Sequence, residues 1–574
     1  MKQNKGLLRR WLFTPEIKRI LGYMVILGFV INLLLLVSPL YMLQMYDRVL
    51  TSRSEETLLA LSVIVLFLLA GFGFLEVIRS HLMVGVSVEV DRRFNHEVFT
   101  SLFSEALQRG GTIGAQPLRD LETLRGMISG RGIIALFDLP WAPFFIGLIF
   151  IMHPLLGGVA LFGAVVTLIL ALVSERSSRV ILSAATEQQM KASHFVDACL
   201  TNVDAISSMG MLQNIRARWL SAYTKSVEAG SATAELVSSY SGSTKAFRMV
   251  LQSAMLGTGG WLALQDQVSP GVMVAASIIF GKALAPLEQS IAASKGLMAA
   301  RSALKRLEIL LVRHERTDEP MQLPSPTGAI QVKELALVVA GRNEPMLQGV
   351  SVDLQAGEVL AIVGASASGK SSLARALLGL WQPARGSIRM DGAELSQWDH
   401  ALLGKHLGYL PQDVELLPGT VQENIARFGK ADSARVVEAA TKAGCHQMVL
   451  SLSEGYDTPV GANGSNLSGG QRQRVALARC FYDEPVFVVL DEPDSNLDVE
   501  GIAALDRAIA ELKNSKTTLV LITHNTRLLR HADKAMMLVS GKMAYLGTPQ
   551  DLMKKLAEQT SAAPQVSTQG ANNK

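Results

Sequence analysis

Apolar runs long enough to cross a bilayer dominate the N-terminal half of this chain, and they leave its backbone little choice. A hydrocarbon core of about 30 Å offers no partner to a free N–H or C=O, so a span of about 20 apolar residues has to be helical. Six runs are read as spans: Ile20–Leu43, Leu58–Val77, Ile133–Met152, Leu155–Val173, Phe247–Leu264 and Val272–Leu287. The last is short and is interrupted by Lys282. A hydrophobic fraction of 49% over 574 residues agrees with a chain that lies partly in lipid.

Lys and Arg positions orient these spans, because positively charged loops stay on the cytoplasmic side. Lys2, Lys5, Arg9, Arg10, Lys18 and Arg19 precede the first span, and Arg92, Arg93, Arg109, Arg119, Arg125 and Arg131 separate the second from the third. Arg176, Arg179, Lys191, Arg216, Arg218 and Lys225 fall between the fourth and fifth. His153–Pro154 and Gln265–Pro270 carry no Lys or Arg, and only the first outer loop is mixed, with Arg48 and Arg53 among Asp47, Glu55 and Glu56. Both termini and both long loops are therefore expected in the cytoplasm, the loops being long enough for the spans to continue as soluble helices. Met1–Ile31 has a basic start but an apolar segment too long for a cleaved signal, so it is read as a retained span. Gly6–Arg19 fits an interfacial helix or a simple positive flank.

Behind Pro320, Pro324 and Pro326 the composition changes to alternating strand and helix patterns. The expected organisation is a segment 1–19, a membrane domain 20–312, a linker 313–328, a soluble α/β domain 329–556 and a disordered Ser-, Ala-, Gln- and Asn-rich tail 557–574. Three cysteines, Cys199, Cys445 and Cys480, without short spacing or a nearby histidine cluster argue against disulfides or structural zinc. A net charge of +4 on this length makes no case for nucleic acid as a partner.

The soluble domain carries the chemistry. Val359–Val363 reads as a buried strand, followed by Gly364-Ala365-Ser366-Ala367-Ser368-Gly369-Lys370-Ser371-Ser372 running into a helix. Such a loop wraps backbone N–H groups around phosphates; Lys370 reaches the β- and γ-phosphates and Ser371 supplies a magnesium ligand. Val486–Leu490 is an apolar strand ending in Asp491 and Glu492, the first placed to hold magnesium and the second to polarise an attacking water. Between them lies Leu467-Ser468-Gly469-Gly470-Gln471, a serine and two glycines opening a further helix.

In this order the three motifs resemble an ATP-binding-cassette (ABC) ATPase, and the resemblance covers nearly the whole chain. It implies a type I ABC exporter fold, six transmembrane helices followed by an α/β P-loop NTPase domain, with ATP and Mg2+ as cofactors. Gln412, in Tyr409-Leu410-Pro411-Gln412-Asp413, matches the glutamine that senses magnesium and water; His524, after Ile522-Thr523, matches the histidine on the γ-phosphate. Ser495-Asn496-Leu497-Asp498 resembles the loop linking two ATPase subunits, with Asn496 where Ala is more usual. The catalytic set expected is Glu492, His524, Gln412 and Lys370, with Ser371, Gln412 and Asp491 on the metal. Nucleotide contacts are expected from Gly364–Ser372, Gln412, Ser468–Gln471, Asp491 and Asp498.

The family's adenine-stacking aromatic is missing, since Ile330–Met346 contains none and the expected position falls near Val339. With one phosphate loop and one signature, the chain is expected to pair with a second copy. Ser38–Leu50, Phe137–Pro143 and Asp491–Asp498 resemble the type I protein secretion permeases, particularly the protease and lipase exporter branch. That implies a bacterial inner-membrane ATPase, surrounded by membrane lipid and working with a periplasmic membrane-fusion adaptor and an outer-membrane channel, that exports an unfolded secreted polypeptide with a C-terminal signal in one step. With about 19 residues before the first span, neither a peptidase nor a peptidase-like domain is expected. Competing readings are a lipid or hydrophobic-drug exporter and a non-transporting regulator or channel component; intact Lys370, Glu492 and His524 weigh against the last. Asp138 before Pro140 reads as a helix N-cap or a substrate-path residue. Pro39 is placed to kink the first span, Tyr41 and Tyr46 fit interfacial aromatics, and Lys282 is expected to face a cavity, pair with a neighbour such as Glu288, or snorkel.

Overall fold

Residues 14–109, 114–200, 202–313, 323–338 and 344–561 are described here from a computed structural model. Val339, Pro320, the beginning of Gly6–Arg19 and the tail beyond residue 561 lie outside them. The chain divides into two compact units at Glu315/Arg316, with Ala106–Gly111 grouped with the second.

The first unit is entirely helical. Thr14 accepts a hydrogen bond from the Ile17 N–H and Pro15 occupies the first turn, which starts α1 (Pro15–Leu34). The helix breaks at Leu35–Leu36, one turn before Pro39, whose ring would meet the carbonyl four residues back. A helix Val37–Gln44 and a π-helical turn Met45–Val49 complete the first span. The remaining rods are α2 (Glu55–Arg109), a helix Gln116–Ile128, the third span, α4 (Pro154–Leu200), α5 (Leu212–Leu264) and α6 (Pro270–Arg313). The third span consists of a helix Arg131–Asp138, a 3₁₀ turn Leu139–Trp141 and α3 (Ala142–Met152). At 55 residues α2 reaches about 80 Å, far more than a bilayer needs, as the long-loop reading expects.

Among the described residues, five helical segments are long and apolar enough to cross a membrane: Pro15–Ser52, Glu55–Leu107, Gly132–Met152, Pro154–Ser178 and Pro270–Arg313. The expected fifth span, Phe247–Leu264, is helical within α5 but more polar than the others, because Arg248, Gln252, Ser253 and a glycine-rich turn dilute it. The segment with Lys282 passes the same test as part of α6. Phe145, Ile149, Leu156, Leu251, Met255, Ile279 and Phe280 form the core at membrane level, and Gly163 lets α4 approach it, since an added Cβ would come within 2.7 Å of Leu251. Further along, Val86, Val90, Phe94, Leu121, Leu124, Ala303 and Leu307 bind α2, Gln116–Ile128 and α6. Leu66, Phe67 and Ile151 point their side chains outward, as a lipid-facing surface would.

Two sequence expectations are corrected here. Asp138 does not cap a helix: its carboxylate accepts from Arg79 Nη1 at 2.9 and 3.1 Å and from Asn32 Nδ2 at 3.1 Å, tying the first three spans together. Arg79 also reaches Glu76 at 2.7 Å. Glu288 pairs with Arg248 of the neighbouring α5 at 2.7 Å rather than with Lys282, a side chain that is half-buried. At the other end of the membrane unit Asp47, in the π-helical turn, accepts hydrogen bonds from Ser269 Oγ and from the Gly271 N–H at the start of α6. Tyr41 shares a hydrogen bond with Ser62 at 2.9 Å.

The second unit is built on a ten-stranded sheet, in the order β5-β4-β1-β2-β12-β11-β3-β10-β9-β6. In chain order the strands are β1 (Ile330–Leu337), β2 (Leu347–Leu354), β3 (Val359–Val363), β4 (Arg385–Met390), β5 (Ala393–Glu394) and β6 (Leu407–Leu410). They continue with a small separate pair, β7 (Gly419–Thr420) and β8 (Pro459–Val460), then β9 (Phe487–Asp491), β10 (Thr518–Ile522), β11 (Lys534–Val539) and β12 (Lys542–Gly547). β1, β2 and β4 pair antiparallel, whereas β11, β3, β10, β9 and β6 run parallel. Every residue of β3, β9 and β10 is buried, as expected for parallel strands covered on both faces. Leu373 and Leu377 pack one face and Val475, Leu505 and Ile509 the other.

Candidate active site

Four adjacent parallel strands end at the same edge of the sheet, where open α/β folds place their ligands. β3 delivers the loop Gly364–Gly369, β9 delivers Asp491 and Glu492, β10 delivers Thr523 and His524, and β6 delivers Gln412. Gly364 is obligatory: a Cβ there would lie 2.4 Å from the Leu538 carbonyl oxygen. Gly369 has φ +98°, and its Cβ would meet Leu347 at 2.7 Å. The loop then enters α7 (Lys370–Leu377), so its N–H groups and the positive helix end converge on one cradle. Ala367 is held at φ 63°, an unfavourable value for a residue with a Cβ.

Lys370 is buried, and its ammonium donates to the Gly364 and Ala365 carbonyls at 2.8 and 3.1 Å. Asp491 is buried as well. Burial pushes its carboxyl above the usual range; a hydrogen bond from Ser371 opposes the shift and the neighbouring Glu492 charge adds to it. Its Oδ1 has no hydrogen-bond partner among the described residues. A buried carboxylate oxygen without a donor, beside a serine hydroxyl, is a hard oxygen set that fits magnesium. The ion would supply charge neutralisation between phosphate oxygens, held by Ser371 and Asp491.

Glu492 stands at φ 50°, a strained conformation at the end of β9 fixed by its N–H to the Ile522 carbonyl at 2.9 Å. Its Oε2 accepts from Gln412 Nε2 at 2.9 Å, and His524 Nε2 lies 3.6 Å from its Oε1. Residues 80 and 32 positions away thus meet on one carboxylate. Thr523 donates to Asp494 at 3.2 Å, tying the ends of β9 and β10 together.

Ser468 caps α8 (Gly469–Phe481) in a full capping box: its Oγ accepts from the Gln471 N–H at 3.3 Å, and Gln471 Oε1 accepts from the Ser468 N–H at 2.8 Å. Gly469 has open space around it, and Gly470 faces the Asn496 carbonyl. Among the described residues no hydrogen bond joins Ser468–Gln471 to the phosphate loop. Asp498 caps α9 (Val499–Asn514) through the Gly501 N–H at 2.8 Å and lies 3.7 Å from Arg474. Sequence reasoning missed Gln473, which is buried and donates to the Pro493 carbonyl. Its one signal was a polar residue in the apolar stripe of α8.

Cys445 and Cys480 are free, and burial pushes their thiols up to about 12 and about 11, so both are inert. Among the described residues no cluster of His, Cys, Asp and Glu suits a structural metal ion.

A two-part molecule of long apolar helices and a sheet-edge phosphate cradle defines a membrane transporter driven by nucleotide, and comparison with known proteins agrees. Residues 21–286 match the ABC transporter transmembrane region family, and residues 347–495 match the ABC transporter family. The type I secretion system ATP-binding protein PrsD of Rhizobium meliloti is 40% identical over 525 residues, 91% of this chain and 90% of that protein. The cyclolysin secretion/processing ATP-binding protein CyaB of Bordetella pertussis is 26% identical, over 94% of this chain and 77% of that protein. Among solved structures, a bacterial Atm1-family ABC exporter with ATP bound superposes with a TM-score of 0.81 at 21% identity, over 98% of this chain and all of the other. The chain belongs to the ABC transporter family, with the type I exporter fold. It is a multi-pass membrane protein whose nucleotide-binding domain is an ATPase coupled to transport.

Proposed function

We propose that this chain is the ATP-driven exporter of a type I protein secretion system, translocating an unfolded polypeptide that carries a C-terminal signal. The observation that carries the proposal is the Glu492 carboxylate, held by Gln412 and approached by His524 beside the Lys370 cradle, in a chain 40% identical to a type I secretion protein. In the roles proposed, Gly364–Ser372 binds the nucleotide phosphates and Lys370 neutralises them. Ser371, Asp491 and Gln412 serve the magnesium ion, Glu492 accepts the proton of the attacking water, and His524 steadies the γ-phosphate. Glu492 already sits on a strained turn that costs about 1–2 kcal/mol, which fits a residue positioned for chemistry rather than for packing.

Ser468, Gly469 and Gly470 would close on the nucleotide of a second copy, so two chains form two composite sites in a homodimer, with Asp498 positioning the linking loop. Further proposals are a bacterial inner-membrane location with the ATPase domain in the cytoplasm, the domain boundaries at 312, 328 and 556, and partnership with a periplasmic adaptor and an outer-membrane channel. Substrates of the protease and lipase type follow from the same branch. The test is ATPase activity of the purified protein in lipid nanodiscs, titrated with an unfolded polypeptide bearing a C-terminal secretion signal and, separately, with lipids and hydrophobic drugs. Saturable stimulation by the polypeptide that disappears when its signal is deleted supports protein export. A response to amphiphiles alone refutes it.

A further inference from the structure

Polar ties join the helices of the membrane unit at two levels, and they differ in kind. At the inner level they are full ion pairs: Arg79 with Asp138 and Glu76, and Arg248 with Glu288. Counted from the outer helix ends at about 1.5 Å per residue, Asp138, Arg248 and Glu288 lie about 21, 24 and 27 Å deep, so they share the inner leaflet. Arg79 is almost fully buried, and Asn32 adds a further buried hydrogen bond to the same carboxylate. At the outer level the tie between the first and last spans is one half-buried carboxylate, Asp47, bonded to two neutral donors, Ser269 Oγ and the Gly271 N–H.

These ties respond to rupture in opposite ways. Separating Asp138 from Arg79 leaves a largely buried carboxylate with only the neutral Asn32 amide hydrogen-bonded to it, which is strongly unfavourable. Separating Asp47 from Ser269 and Gly271 exposes one carboxylate, one hydroxyl and one N–H at the membrane surface, where water replaces each bond. We infer that Asp47 is a releasable outer latch between the first span and α6, and that the Arg79–Asp138–Asn32 cluster is the fixed pivot about which the outer helix ends part. The inference rests on the exporter reading, because only a transporter has to open on that side. The site also accounts for two features, one of sequence and one of backbone, that the ATPase chemistry does not use. Gly271 is required because a Cβ would lie 2.6 Å from the Asp47 carboxylate, and the π-helical turn at Met45–Val49 carries that carboxylate at its centre.

The test compares two cross-links in full-length protein with Cys199 replaced by Ser, reconstituted in proteoliposomes. Asp47→Cys with Ser269→Cys bridges the latch. Phe29→Cys with Trp141→Cys, whose rings are 5.3 Å apart, bridges the first and third spans beside the pivot and leaves Asp138 intact. Oxidation of the outer pair is expected to reduce translocation of the signal-bearing polypeptide to background, reversibly with reductant, while nucleotide binding persists. Oxidation of the inner pair is expected to leave translocation unchanged. Normal translocation with the outer bridge closed, or equal inhibition by both bridges, overturns the inference. If the outer double variant fails to fold, Gly271→Ala displaces Asp47 without a cross-link. It should raise ATPase activity without polypeptide by roughly threefold to tenfold, the shift expected from losing one or two exposed hydrogen bonds. An unchanged basal rate also overturns the latch. Failure of the exporter reading looks different, because the reduced, unmodified protein would then not move polypeptide at all.

Discussion

Arg79 bridges two carboxylates, and this fixes how the inner cluster responds to mutation. Arg79→Met removes the one cation that pairs with Asp138 among the described residues and leaves it the hydrogen bond from Asn32, in a site where the Arg79 side chain is 6% exposed and that of Asp138 17%. Breaking such a pair from one side costs about 3–5 kcal/mol, chiefly because an uncompensated charge stays buried. Asp138→Asn is milder, since Arg79 keeps Glu76, whose side chain is 40% exposed; losing the charge-assisted bonds costs roughly 1–2 kcal/mol. Arg79→Met with Asp138→Asn removes both of the paired charges and should return to within about 1 kcal/mol of the wild type. The assay is equilibrium unfolding of the three variants in mixed micelles, supported by thermal midpoints, where the Arg79→Met loss corresponds to roughly 5–10 °C. The expected double-mutant coupling, the two single losses less that of the double, is about 3–6 kcal/mol. A coupling below about 0.5 kcal/mol, or a double variant as weak as Arg79→Met, would refute the direct ion pair as the source of stability.

Glu492→Gln should keep the hydrogen-bonding shape around Gln412 and still nearly abolish turnover, trapping ATP-bound protein; hydrolysis at the wild-type rate in a phosphate-release assay would remove Glu492 from the role of base. Ser468→Ala should lose hydrolysis and also about 1 kcal/mol of stability through its cap on α8, whereas Ser468→Asp should recover the cap but not the hydrolysis. If Ser468→Asp restores both, the serine acts only as a cap. Asp491→Asn should raise the thermal midpoint in the absence of magnesium by roughly 2–4 °C, because it removes a buried carboxylate, and should end magnesium-dependent hydrolysis. The wild-type carboxyl has its folded pKa raised, so it is penalised while ionised and relieved once protonated. The stability gap between Asp491→Asn and the wild type should therefore close as pH falls through that raised pKa, and a gap independent of pH would contradict the burial argument.

Legibility in the sequence followed the range of the interactions involved. Gly364–Ser371 and Val486–Glu492 could be read because strand, turn and helix follow one another directly, and each element carries its own period or glycine. Gln412 and His524 needed the resemblance, since nothing local says that β6 and β10 flank β9. Asp138 shows the opposite error. Its local setting, with Pro140 two residues on, spelled a helix cap, but its partners lie 59 and 106 residues away on two other helices. Nearness in sequence offered Glu288 as one possible partner of Lys282, whereas helix packing gave it Arg248, 40 residues earlier. The π-helical turn at Met45–Val49 has no sequence period of its own, so the approach of Asp47 to α6 could not be anticipated.

The order of the parallel strands in the second unit has a consequence for how freely its sequence can vary. Lys370, Gln412, Glu492 and His524 are set by the ends of β3, β6, β9 and β10, strands that pair directly with one another as β3-β10-β9-β6. Beyond Gln412, two residues past the end of β6, the long excursion to β9 carries β7, β8 and several helices, and among the described residues it adds no further hydrogen bond to the Glu492 carboxylate. Such a site behaves like a socket whose pins are fixed in the board: the excursion can be lengthened, shortened or exchanged with that of a related transporter while the pins keep their spacing. Signature and linking loops, carried on or beside that excursion, can then be tuned to a particular partner without disturbing the chemistry that drives them.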